Sequence, residues 1–143
     1  MSTTSLLSEP LRVRLAGPAD VAAIAPLFDA YRQFYEQASD LPLAQRFLAE
    51  RQARAEALLW VAEDDNGQAL GFTQCYPSFC SISAAPVLVL YDLYVSPDAR
   101  RSGAAQALLQ AAEDGARARG CVRLDLTTAH NNHSAQALYE RMG

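Results

Sequence analysis

Residues Tyr91 to Leu109 hold the stretch of the chain best suited to chemistry. An apolar run that starts at Val87, rich in β-branched and aromatic side chains, meets Ser96-Pro97-Asp98, and Arg100-Arg101-Ser102-Gly103-Ala104-Ala105 then leads into an Ala/Leu segment. The order predicts strand, turn and helix. A helix that begins this way presents backbone N–H groups with no intrahelical partner, together with the positive end of its dipole, and two arginines stand alongside. That is an anion site, most naturally one for phosphate.

Other chemistries are narrowed by what the sequence lacks. It contains neither a Gly-x-x-x-x-Gly-Lys-Ser/Thr loop nor a Gly-x-Gly-x-x-Gly with a following strand-end acid, which excludes those two nucleotide cradles. The only histidines, His130 and His133, have no carboxylate or thiol around them at metal-ligand spacing, so no metal site is expected. His133 reads as a solvent-facing residue in the first turn of the last helix. Cys75, Cys80 and Cys121 lie in or beside apolar strand-like segments and read as buried or incidental thiols, with a reactive nucleophile or a disulfide as the alternative.

The elements that must position the stretch follow from periodicity. Leu11 to Leu15 alternates as a first strand. Gly17-Pro18-Ala19-Asp20 opens a helix in which Val21, Ile24, Leu27, Phe28, Tyr31, Phe34 and Tyr35 make one apolar stripe, with Pro26 set to kink or split it. The Tyr31, Phe34, Tyr35 cluster reads as core, and the lining of a substrate pocket is the alternative. Ser39-Asp40-Leu41-Pro42 breaks that helix, and a second runs from about Leu43 to Leu58, with Arg46, Arg51 and Arg54 on a solvated face interleaved with Glu50 and Glu56. Leu58 to Glu63 and Ala69 to Tyr76 form a hairpin around Asn66-Gly67. Pro77 to Ala85 reads as a less regular connection. The helix from Gly103 to Arg119 carries a narrow small-residue face of Ala104, Leu108, Ala111, Ala112, Gly115 and Ala118, ended by Gly120. Cys121 to Thr127 alternates with Val122, Leu124 and Leu126 inward, and a last helix spans Asn132 to Met142.

The expected fold class is therefore α/β, in the order β-α-α-β-β-β-α-β-α. The 143 residues are half apolar and one-fifth charged, and fit a single domain over 11–143 behind a flexible leader at 1–10. A net charge of −4 and a sequence pI of about 5.1 exclude a polycationic nucleic-acid surface. No apolar run reaches the length of a membrane span, and the first residues lack a secretory signal pattern, so a cytoplasmic protein without membrane partners is expected.

Two motifs make the anion site specific. Arg100-Arg101-Ser102-Gly103-Ala104-Ala105 fits Arg/Gln-x-x-Gly-x-Gly/Ala and follows a strand ending in Val95-x-Pro97. Downstream stands Asn132-x-x-Ala135-x-x-Leu138-Tyr139-x-x-x-Gly143. In this order, separated by a helix and a strand, they resemble the acyl-CoA-binding and second signatures of the GNAT superfamily of N-acetyltransferases. The likeness spans Leu11 to Gly143, and its specific part is Val87 to Gly143.

The resemblance implies a mixed, mostly antiparallel sheet flanked by helices, acetyl-CoA as cosubstrate, no metal, and direct attack by a primary amine. The amides of Arg101, Ser102, Gly103, Ala104 and Ala105 would bind the CoA pyrophosphate, with Arg100 adding charge at its edge. Leu93, Tyr94 and Val95 would offer free amides to the pantetheine and the thioester oxygen, Asn132 would touch the pantetheine arm, and Tyr139 would face the sulfur. An amine attacking a thioester needs a deprotonated nucleophile, an oxyanion donor and a proton for the thiolate, and backbone N–H and Tyr139 suit the last two. A core tyrosine is the alternative for Tyr139.

Asp92 is the candidate base, against a structural carboxylate or ordered water doing the work; members with an acid one position earlier would match Tyr91. Arg101 stands where Gly is usual and Ala105 where a second Gly is, and helical dihedrals are expected at both. The family pattern also continues with two more strands past Gly143, so a shortened chain with an open sheet edge is expected. The N-terminal helices and the Asp40-Leu41-Pro42 loop would form the acceptor wall. Asp29, Glu36 and Asp40 there favour a cationic acceptor: a small-molecule amine, with a protein lysine or N-terminus, or a non-catalytic CoA-binding module, as alternatives. Homodimer formation is left open.

Overall fold

The structure, a computed structural model, describes residues 11–127; the leader at 1–10 and the predicted last helix, with Asn132 and Tyr139, lie outside the described residues. The elements are β1 (Arg12–Leu15), α1 (Val21–Phe34), α2 (Leu41–Ala53), β2 (Leu58–Glu63), β3 (Ala69–Cys80), β4 (Ala85–Val95), α3 (Ala104–Ala118) and β5 (Leu124–Leu126). Their order is the expected one through β5. The five strands lie in sequence order, antiparallel from β1 to β4, and β5 joins β4 in parallel. A parallel joint between consecutive strands needs a crossover, and α3 supplies it.

Period-two alternation divides the core. Leu59, Val61 and Phe72 face α1 and α2, where they bury Ile24, Ala25, Phe28, Ala44 and Leu48. Trp60, Ala62, Cys75, Leu88 and Leu90 face the other way, onto Ala104, Leu108, Leu109, Ala112 and Ala116 of α3. The small-residue face of that helix does bring it close: a Cβ on Gly115 would stand 2.5 Å from Trp60 Cζ2. Ala118 is exposed and Ala116 takes the buried place predicted for it.

Several expectations are corrected. Pro77 to Ala85 is not an irregular connection, because β3 continues to Cys80, turns, and returns as β4 from Ala85. Pro77 is tolerated there because β2 stops opposite Cys75, so the edge toward which a residue-77 amide would point has no strand to bond among the described residues. Pro26 neither splits nor ends α1; it and Ala22, whose carbonyl it leaves unbonded, are both exposed. The second helix starts at Leu41, with Asp40 capping it through the Leu43 amide at 3.1 Å, and ends at Ala53. Arg51 is not simply solvated: its guanidinium lies 4.8 Å from the Phe47 ring centroid and pairs with Glu56. Phe34 is 49% exposed, outside the core assigned to its stripe. Of the three residues expected to face inward in the last described strand, only Leu124 packs on the α3 side; Val122, outside the pairing with β4, is 53% exposed, and Leu126, at its end, is 40% exposed.

Candidate active site

The register of β4 changes at one residue. Gln74 stands opposite Asp92 and Cys75 opposite Leu90, so Tyr91 is an extra residue, a β-bulge. The ladder to β5 ends at Leu90 and Leu126, with Thr127 closing it by donating to the Leu90 carbonyl at 3.0 Å, while β4 runs on to Val95. The Ser96 amide bonds the Leu70 carbonyl across β3. By alternation Tyr94 and Asp92 also turn their backbone groups to β3, and Leu93 and Val95 turn theirs to the edge that β5 has left. Thus Leu93 and Val95 carry the edge amides, whereas the Tyr94 amide, expected among them, belongs to the β3 ladder.

Below that edge lies the cradle. After the single turn Pro97–Ala99 the chain is extended at Arg100, left-handed at Arg101 (φ 70°) and Gly103 (φ 88°), and helical from Ala104. Helical dihedrals at Arg101 are therefore corrected. An extended chain must enter α3 within three residues, and left-handed residues make that turn. The Ser102 amide bonds the Ala99 carbonyl at 3.2 Å and the Ala104 amide bonds Ser102 Oγ at 3.3 Å. The first amide to reach back into the helix is that of Ala107, to Gly103, so Arg101, Gly103 and Ala105 keep outward N–H groups with no backbone acceptor among the described residues. A Cβ on Gly103 would meet nothing within 4 Å, so the mouth is open as well. These features fit a pyrophosphate. Arg100 is used differently: its Nε donates to the Val95 carbonyl at 3.0 Å and its guanidinium lies 5.7 Å from the Tyr94 ring centroid, which ties the cradle to the strand edge.

Asp92 projects to the α1/α2 side. It accepts from the Tyr31 hydroxyl at 2.8 Å, and the Tyr91 ring packs on Tyr76 at 5.2 Å, so the bulge places Tyr91 and Asp92 on one face. Burial pushes the Asp92 carboxyl above the ordinary aspartate range, and hydrogen bonds from Tyr31 and Gln74 oppose that rise. Burial likewise raises Tyr76 to about 12, with the Asp92 charge adding to it. A half-buried carboxyl of raised basicity, walled by tyrosines, can take a proton from an amine.

The acids of the acceptor wall divide differently from expectation. Asp29 is buried and accepts from the Asp40 amide (2.8 Å), Ser39 Oγ (2.7 Å) and Gln33 Nε2 (3.2 Å), so it pins the α1–α2 loop. Asp40 caps α2. Sequence reasoning missed Gln74 and Tyr76, and assigned Tyr31 to the core. Gln74, a long polar side chain within the mainly apolar run Ala69 to Tyr76, was the available signal. Asn132 and Tyr139 lie outside the described residues, and no metal-binding group of His, Cys, Asp or Glu occurs among the described residues.

Residues 24–143 match the model of the acetyltransferase (GNAT) family. The chain is 47% identical to the uncharacterized N-acetyltransferase YhfO of Bacillus subtilis (strain 168), over 93% of this chain and 89% of that one. It is 36% identical to the aminoglycoside N(6')-acetyltransferase type 1 of Klebsiella aerogenes, over 68% of this chain and 64% of that one. Among solved structures, a probable acetyltransferase superposes with a TM-score of 0.87 at 39% identity, covering 92% of this chain and 88% of the other. An aminoglycoside N-acetyltransferase, AAC(6')-Iy in complex with CoA, shares the fold with a TM-score of 0.81 at 18% identity, over 95% and 88%. With the strand edge, the helix-entry cradle and a family match over most of its length, the chain belongs to the GNAT family and is an acetyltransferase.

Proposed function

We propose that this acetyltransferase moves the acetyl group of acetyl-CoA onto a primary amine of a small molecule, such as a polyamine, an amino acid or a drug-like amine, by direct attack. The observation that carries the reading is the division of β4: Leu93 and Val95 turn amides to the edge that β5 has left, and Asp92, just before them, turns a carboxyl to the tyrosine-walled side. The amides of Arg101, Gly103 and Ala105 hold the pyrophosphate, and those of Leu93 and Val95 hold the pantetheine and the thioester oxygen. The amine gives a proton to Asp92, its nitrogen bonds the carbonyl carbon, and the C–S bond breaks. The departing CoA thiolate takes a proton from Tyr139, a role carried over from the family motif.

The similarity to an aminoglycoside acetyltransferase supports a small acceptor. The test is a panel of kanamycin, spermidine, lysine and lysine-containing peptides with acetyl-CoA, following free CoA and acetylated product. Turnover of free amines well above that of peptides is expected. Turnover of peptides alone would overturn the small-molecule reading, and CoA binding without turnover of any amine would identify a binding module.

A further inference from the structure

The Asp92 carboxyl is held from a second element. Tyr31, on α1, donates its hydroxyl to Asp92 Oδ1 at 2.8 Å, and its oxygen lies 3.4 Å from the Tyr91 carbonyl oxygen at the bulge. Its ring is wedged among Tyr35, Phe72 and Tyr94, with centroids 5.1, 5.7 and 6.1 Å away, so the hydroxyl is delivered in a fixed place. The groups that act on Asp92 are Tyr31 from α1 and Gln74 from β3, and the neighbours that feel its charge are Cys75 and Tyr76 on β3. None of these is a cation, so hydrogen bonds are what hold the carboxylate form in place. Gln74 faces Asp92 across the strands, and its buried Oε1 has no hydrogen-bond partner among the described residues. A turn of that amide would give a protonated Asp92 an acceptor.

We propose that Tyr31 is a positioning residue for Asp92: its hydroxyl occupies Oδ1 and leaves Oδ2 to take the proton of the acceptor amine. The contact makes the base an extension of α1, so the helix that walls the acceptor also orients the group that deprotonates it. This rests on Asp92 being the base. Removing a hydrogen bond to the carboxylate makes the group harder to ionise, so Tyr31→Phe, which keeps the ring, raises its titration midpoint.

The test is carbon NMR titration of aspartate-labelled full-length protein, with the Asp92 signal assigned by Asp92→Asn, a measurement that needs no acceptor. The midpoint is expected to rise by about one pH unit in Tyr31→Phe. A fluorinated tyrosine at position 31, a stronger donor of the same shape, is expected to lower it. With whichever of kanamycin or spermidine is turned over faster, the ascending limb of kcat against pH should move with the midpoint, whereas a merely structural role would lower kcat equally at every pH. An unmoved midpoint in both variants overturns the proposal. If the midpoint moves but Asp92→Asn keeps wild-type kcat and its ascending limb, the base assignment fails instead, and the proposal with it.

Discussion

At the scale of single residues, environment separates groups that look alike in the sequence. Cys75 and Cys80 both sit on β3, yet burial pushes the Cys75 thiol up to about 12. The Ser83 amide and hydroxyl, followed by the Arg123 guanidinium, pull Cys80 down to about 7. A disulfide reagent at neutral pH should therefore label Cys80 first, with a rate that rises through pH 7, and should reach Cys75 only on unfolding. Cys80→Ser should remove that early labelling, and its persistence would assign the reactive thiol elsewhere. Asp92 was legible as a candidate base from its place on the strand, but its face was not. One extra residue at Tyr91 decides which side of the sheet it joins, and a bulge leaves no mark in the apolar pattern of Val87 to Val95.

At the scale of elements, two glycines carry most of the geometry. Gly115 lets α3 lie against Trp60, and Gly115→Ala would drive a methyl into the indole. Overpacking of that kind costs about 1–3 kcal/mol, against a helix-propensity gain of about 1 kcal/mol, so a lowered Tm is expected by thermal unfolding. An unchanged or raised Tm would show that Trp60 can move aside. Gly103, left-handed at the entry to α3, has space around it, so Gly103→Ala should fold while straining the cradle by about 1–2 kcal/mol. Acetyl-CoA affinity by calorimetry should fall about tenfold, and wild-type affinity would show that the cradle does not depend on that conformation. The strand-turn-helix that forms the cradle was legible because Pro97 and Gly103 punctuate it. The β3–β4 hairpin was not, since Pro77 signals a break and only the missing neighbour strand makes it harmless.

For the whole molecule, the pattern of the sequence was enough to order the elements but not to say which residues of β2 face which helices, because that strand is apolar without a break from Leu58 to Ala62 and buried on both faces. It did not reveal how the first strand is anchored. Arg14 bridges Asp20 at 2.7 Å and Glu63 at 2.8 Å, joining β1, β2 and the entry to α1. Its hydrogen bonds hold Asp20 down from 3.8 to about 2 and hold Glu63 below the usual glutamate range. Both carboxyls are depressed in the folded state, so the stability they contribute is complete above about pH 5 and is lost as pH falls toward 2. Denaturant midpoints should decline over that window, and Arg14→Gln should flatten the decline while lowering stability at neutral pH; an unchanged slope would remove the bridge as its cause.

The central claim is that an amine attacks an acetyl thioester held on β4, without an acetyl-enzyme. Rapid quenching of the full-length chain with acetyl-labelled acetyl-CoA and kanamycin or spermidine, followed by mass spectrometry of protein and small molecules, tests it most directly. The prediction is acetylated amine formed one-for-one with free CoA and no acetyl on the protein at any time. An acetyl-protein that forms and decays at the rate of turnover, or free CoA released without acetylated amine, would contradict it.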